Sequence, residues 1–118
     1  MKIAVTSENG EVFQHFGHTP GFTLFETDGK NILSETELSS GETGHGALAG
    51  LLAEKDVDLL ICGGIGGGAV QALASAGIRV IGGASGKVRD VVRGLLDGTL
   101  QVRSDFHCHL YVLVLYDC

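Results

Sequence analysis

The chain has 118 residues, 44% of them hydrophobic, a single proline and a formal net charge of −6, which fits one domain with a small core. The acidic balance and the lack of any basic run work against nucleic acid or an anionic membrane surface as partner, and no apolar stretch nears the roughly 20 residues that span a bilayer. The opening apolar run is too short for a signal peptide, and Cys62, Cys108 and Cys118 show no disulfide spacing, so a cytoplasmic chain is expected, with thiols free for metal chemistry.

In chain order, residues 1–6 are aliphatic without alternation, as in an interior strand, and lead into the polar turn Ser7-Glu8-Asn9-Gly10. A loop then carries His15-Phe16-Gly17-His18, flanked by Gln14, Thr19 and Pro20. Residues 22–27 and 32–38 flank Asp28-Gly29, which predicts an antiparallel hairpin with a two-residue turn. A polar loop follows and sets His45 at the mouth of a first helix, in which Ala47, Leu48, Leu51 and Leu52 recur at helical spacing until Asp56.

From there the chain repeats strand and helix. The pattern predicts a strand over 57–62, a helix over 68–76 with Gly77 as its left-handed stop, a strand over 78–81 and a helix beginning at an N-capping Ser85. In that last helix Val88, Val91, Val92, Leu95 and Leu96 share one face, with Lys87, Arg89, Asp90 and Arg93 mostly on the other. Gly98 ends it. A domain over residues 1–100 with a C-terminal extension over 101–118 is expected, the extension adding a strand through its apolar run at 110–116. A hairpin beside aliphatic strands joined by helices makes a mixed-sheet α/β domain of two or three layers. Ligands of such sheets bind at the carboxyl ends of the parallel strands. That edge should gather residues 7–18, 62–68 and 82–86.

Within it, Cys62-Gly63-Gly64-Ile65-Gly66-Gly67-Gly68-Ala69 holds five glycines in six residues between a buried strand and a helix. Bare backbone exposes main-chain N–H groups, and the helix behind adds the positive end of its dipole, so an anion is the expected ligand. The run fits a GxGxxA dinucleotide pattern, but the acidic residue that would hold a ribose is missing, and the lysine of a phosphate-binding P-loop is missing too. A phosphate- or nucleotide-binding enzyme using this loop is the alternative reading. The plainer reading is that the glycines permit close strand–helix packing.

His15 and His45, each beside a glycine in a loop, can offer a neutral imidazole to a soft metal or a hydrogen bond to an anion. Cys62 ends the buried strand next to the presumed site, where a small core thiol is the commoner role. His107-Cys108-His109 packs three donors together, but side chains on a strand alternate, so only His107 and His109 could point the same way. No CxxC or HExxH spacing occurs, and no nucleophile elbow or acid/base pair is readable.

Taken together, Met1-Lys2-Ile3-Ala4-Val5-Thr6-Ser7, then His15-Phe16-Gly17-His18-Thr19-Pro20-Gly21-Phe22, His45 before a helix, Val57-Asp58-Leu59-Leu60-Ile61-Cys62-Gly63-Gly64-Ile65-Gly66 and Gly77-Ile78-Arg79-Val80 resemble the dinitrogenase iron-molybdenum cofactor biosynthesis family. That family includes the NifX and NafY carriers, the C-terminal domain of NifB and the molybdenum-copper orange protein. The resemblance spans residues 1 to about 100. It implies a ribonuclease H-like α/β fold, a mixed central sheet with flanking helices, without nuclease carboxylates. It also implies non-enzymatic binding, storage or delivery of an anionic metal-sulfur cluster, of iron-molybdenum or molybdenum-copper type, with biosynthesis or acceptor proteins as partners. His15 is the foremost candidate contact, with Phe16, Gly17, Cys62, Gly63, Gly64, Ile65, Gly66 and Gly67 around the cluster and His45, His107, Cys108 and His109 as further metal donors. Residues 101–118 lie beyond the shared region, and metal binding, a homodimer edge or an ordinary strand are all open to them.

Overall fold

The computed structural model describes the backbone of residues 1–40 and 45–100 and the side-chain environments of residues 1–40 and 48–100. The elements run β1 (Lys2–Glu8), β2 (Glu11–Val12), a 3-10 turn (Phe16–His18), β3 (Gly21–Thr27), β4 (Ile32–Ser39), α1 (His45–Glu54), β5 (Leu59–Ile61), α2 (Gly67–Ser75), β6 (Arg79–Ile81) and α3 (Val88–Asp97). The sheet order is β4-β3-β1-β5-β6, with β2 paired to the end of β1. β3 is antiparallel to β1 and to β4, whereas β5 is parallel to β1 and to β6. A three-strand meander extended by two parallel strands is the mixed central sheet expected of a ribonuclease H-like fold.

The unalternating apolar character of β1 now has its cause. Ala4 packs into a core with Leu48, Leu52, Leu60 and Leu73, on the side of α1 and α2. Ile3 and Val5 pack into a second core with Phe25, Ile61, Val88, Val91 and Val92, on the side of α3. Helices cover both faces, so the domain has three layers. Each fully buried Leu, Ile or Phe contributes about 1.5–3 kcal/mol relative to exposure, and among the described residues the strands of the sheet carry more than half of them.

Several boundaries differ from expectation for identifiable reasons. β1 runs on to Glu8, and Asn9 (φ 54°) with Gly10 (φ 82°) forms a two-residue turn that returns as β2. The β3–β4 connection is not a two-residue turn but spans residues 28–31, closed by the Asp28 N–H donating to the Asn31 carbonyl at 3.1 Å, and a register shift at Glu26/Thr27 absorbs the difference. Ile78 belongs to the cap of α2 rather than to β6, since its N–H donates to the Leu73 carbonyl at 2.9 Å around Gly77 (φ 81°).

The last helix begins at Val88 after Lys87, and Ser85 does not cap it. Gly86 sits at φ 97°, outside the helical region, and its carbonyl accepts from the Val12 N–H at 2.8 Å. The β2 hairpin thus claims the backbone that a helix from Ser85 would have used. The expected strand at 110–116 lies outside the described residues. Among those described, no helix is long and apolar enough to cross a membrane.

Candidate functional site

The loops following β1, β5 and β6 are joined by main-chain hydrogen bonds at the carboxyl ends of those strands. The Gly83 N–H donates to the Gly63 carbonyl at 2.7 Å and the Ala84 N–H to the Cys62 carbonyl at 3.0 Å. The Gly64 N–H donates to the Gln14 carbonyl at 2.5 Å, and the Phe16 N–H returns to the Gly64 carbonyl at 3.0 Å. These last two bonds form a parallel bridge between His15 and Gly64. The histidine turn and the glycine loop are therefore one backbone structure.

The five glycines divide into two groups. A Cβ on Gly63 would stand 2.6 Å from Gln14 Oε1 and 2.7 Å from its Cα, and a Cβ on Gly64 would stand 2.9 Å from the Gln14 carbonyl oxygen. Both are required by close approach of the chain, so packing accounts for this half of the loop. Cβ atoms on Gly66, Gly67 and Gly68 would meet nothing within 4 Å. Packing does not require these three, and all are exposed. Gly66 caps α2 with no side-chain hydrogen bond and Gly67 opens the helix, leaving the first-turn N–H groups and the positive helix end uncovered.

Over this open half lies a concavity of about 140 Å³, lined by Phe16, Gly17, Gly66, Gly68 and Ala69. No charged side chain lines it. By contrast, the neighbouring cavity of about 370 Å³ that contains His15 also contains Glu8 and Glu11, and one of about 340 Å³ beyond it contains Glu8 and Glu37. An anion is repelled by the second and third and tolerated by the first. At about 140 Å³ the concavity is below the roughly 300 Å³ of ordinary ligand pockets, so a larger ligand would rest on its mouth.

The individual residues fall into place accordingly. Phe16 is buried against Phe22, with ring centroids 6.2 Å apart, and forms the wall of the concavity. His15 is exposed, its ring meeting that of Phe13 edge-on at 6.4 Å, and His18 is exposed at the far end of the 3-10 turn. Ile65 is half-buried against the core beside α1 and α2. His45 is the first residue of α1. His107, Cys108 and His109 lie outside the described residues.

Cys62 lies beneath the loop and not on its surface. It is 0% exposed, inside the core with Leu60, Ala69 and Leu73, and burial pushes its thiol up to about 12. A buried, neutral thiol in this position packs beneath the floor of the loop. Among the described residues no group of three His, Cys, Asp or Glu side chains could hold a metal ion. Main-chain amides plus exposed histidine are the donors this edge presents.

Gln14 carries more of the site than its sequence suggests. Its Nε2 donates to the Ala84 carbonyl at 3.2 Å, tying the histidine turn to the loop after β6. An isolated glutamine before HFG carries no signal by itself. The glycine pair at 63–64 was the usable clue, because two adjacent glycines at a strand end mark a place where another backbone comes close.

A family model described as dinitrogenase iron-molybdenum cofactor matches residues 1–98. The chain belongs to this family. Its structure is similar to the apo form of the orange protein from Desulfovibrio gigas, at 31% identity, covering 87% of this chain and 92% of that one with a TM-score of 0.75. It is also similar to the protein PH0822, at 25% identity, 89% and 96% coverage and a TM-score of 0.85. The protein MJ0327 of Methanocaldococcus jannaschii, 18% identical over 88% of this chain and 95% of its own, shares the fold with a TM-score of 0.71. No curated protein sequence matches significantly. Family membership supports a role in the biosynthesis or binding of the dinitrogenase iron-molybdenum cofactor.

Proposed function

We propose that the chain is a non-enzymatic carrier that binds, stores or hands on an anionic metal-sulfur cluster of iron-molybdenum or molybdenum-copper type. The cargo rests on the open half of the glycine loop, with Phe16 and Gly17 on one side and Gly66, Gly67 and the first turn of α2 on the other, and His15 is its candidate contact from the adjoining cavity. Residues 1–100 constitute the cargo-binding domain, and cluster-biosynthesis or acceptor proteins are its partners.

The observation that carries this reading is the division of the loop. Gly63 and Gly64 are consumed by contact with Gln14, while Gly66, Gly67 and Gly68 have open space above them, beside a concavity without a carboxylate. Sulfide-rich clusters are anionic and accept hydrogen bonds from amides, which suits bare N–H groups at a helix N-terminus. A site smaller than its ligand holds by few contacts, and a carrier must release. A nucleotide finds less support, since the loop has no lysine and no acidic residue lines the concavity to hold a ribose.

The test is anaerobic loading of the apoprotein with tetrathiomolybdate and copper, or with iron, sulfide and molybdate, followed by desalting and metal and sulfide analysis. About one cluster per chain with a visible charge-transfer band is expected. Protein that emerges colourless and metal-free from every combination defeats the proposal.

A further inference from the structure

We infer that Gln14 is the positioning residue of this site, fixing the orientation of His15 where it bridges to Gly64 of the glycine loop; this rests on the cluster-carrier reading. Gln14 joins all three loops at the binding edge. Its carbonyl accepts from the Gly64 N–H in the loop after β5, and its side-chain Nε2 donates to the Ala84 carbonyl in the loop after β6. Those two loops are already tied to each other through Gly63–Gly83 and Cys62–Ala84. Gln14 is thus the one residue of the histidine segment with a bond to each.

The fit around it is close. The space where Gly63 would carry a Cβ is filled by the Oε1, Cα and Cδ of Gln14, all within 2.7 Å of that position. The glycine forms a seat and the glutamine occupies it. Alternation then sets the direction of the neighbour: His15 has extended backbone (φ −128°, ψ 108°), and successive side chains of extended chain point to opposite sides. Gln14 is half-buried, His15 exposed and Phe16 1% exposed. Anchors on both sides of His15 hold its ring outward, and one of the two is the Gln14 amide.

Phe16 stays in the core without Gln14, so the fold should survive loss of the amide while His15 loses one of its two anchors. Gln14→Met keeps the length of the side chain and removes the donor. In the unloaded protein, amide spectra should show shifts at His15, Phe16, Gly17, Gly64 and Ala84, with Leu60 and Val92 unchanged. In protein loaded with tetrathiomolybdate and copper, the visible circular dichroism should change and loss of copper to a chelator should speed up by up to about tenfold, the fold-change of one net hydrogen bond. If Gln14→Met does not fold, Gln14→Glu, which turns a carboxylate oxygen toward the Ala84 carbonyl, is read in its place. Unmoved His15 and Gly17 signals, or an unchanged dichroism and release rate, overturn the inference. A wild-type chain that takes up no cluster defeats the carrier reading instead, and the unloaded spectra then decide the role of Gln14 alone.

Discussion

Phe16 donates its N–H to the carbonyl of Gly64 at 3.0 Å, and through this bond the histidine turn becomes part of the sheet edge. Phe16 lies inside the core and Gly64 begins the loop that leads to α2. His15, between Gln14 and Phe16, is consequently held opposite Gly64 at the sheet edge without contributing to the core.

Replacing His15 by alanine should therefore separate binding from stability. An exposed side chain with one edge-on ring contact to Phe13 changes stability by no more than about 0.5 kcal/mol. Cluster retention after desalting should fall markedly in the same variant. Thermal melting and metal content, measured on one preparation, check both halves; full retention would remove His15 from the site.

The two halves of the glycine loop should respond to alanine in opposite directions. At Gly63 a Cβ collides with the backbone of Gln14, which should destabilise by about 1–3 kcal/mol. Gly68 lies in the first turn of α2 with nothing within 4 Å of its Cβ position, so alanine there should stabilise by up to about 1 kcal/mol through helix propensity. Because Gly68 also lines the concavity, the more stable variant should hold cluster less well. Denaturant melts alongside loading assays test the pair, and a Gly68→Ala protein with unimpaired loading would argue against cargo on this face.

What was readable in the sequence was whatever depended on neighbours along the chain. Ile3, Ala4 and Val5 announce a strand buried on both faces, Gly77 announces a left-handed stop, and the spacing of Val88, Val91 and Val92 announces the face of α3. The start of α3 was not readable, because the partner that takes the Gly86 carbonyl is Val12, at the far end of the sequence. The same holds for Gly63 and Gly64. A glycine that admits a ligand and a glycine that admits Gln14 look identical until the fold brings residue 14 to them. Cys62 was ambiguous for a related reason, since its place at the end of β5 fits either a ligand or the core, and only burial decides. The Asn9-Gly10 hairpin, by contrast, carried a usable turn signal; the short β2 that follows it hides the strand.

Charge around His15 should affect arrival of the cargo more than its retention. Glu8 and Glu11 line the cavity that includes His15, and both are exposed. Glu11→Gln should raise the association rate of an anionic thiometallate by about two- to threefold at low salt, with the gain fading as the screening length shortens. Stopped-flow absorbance at two ionic strengths measures it. A gain that persists undiminished at high salt would point to a local structural change rather than to electrostatics.

The buried thiol of Cys62 should make the domain less stable as the pH rises into the alkaline range. Its ionisation is pushed from 9.0 to about 12 in the folded chain because a thiolate would be desolvated there. Below pH 9 the folded and unfolded forms both carry the proton, and the group adds no pH dependence. Between pH 9 and 12 the unfolded chain loses the proton that the folded chain keeps, so the unfolded state binds fewer protons and stability falls as pH rises, by at most about 1.4 kcal/mol per pH unit. Cys62→Ala should be less stable near neutrality because it leaves a small cavity, yet it should lack this part of the alkaline slope. Denaturant melts at pH 8, 9.5 and 10.5 for both proteins give the comparison. Parallel slopes would mean that the thiol is not sealed in the folded state. Alkylation mapped by mass spectrometry at pH 8 should agree, leaving Cys62 unmodified until the chain is unfolded.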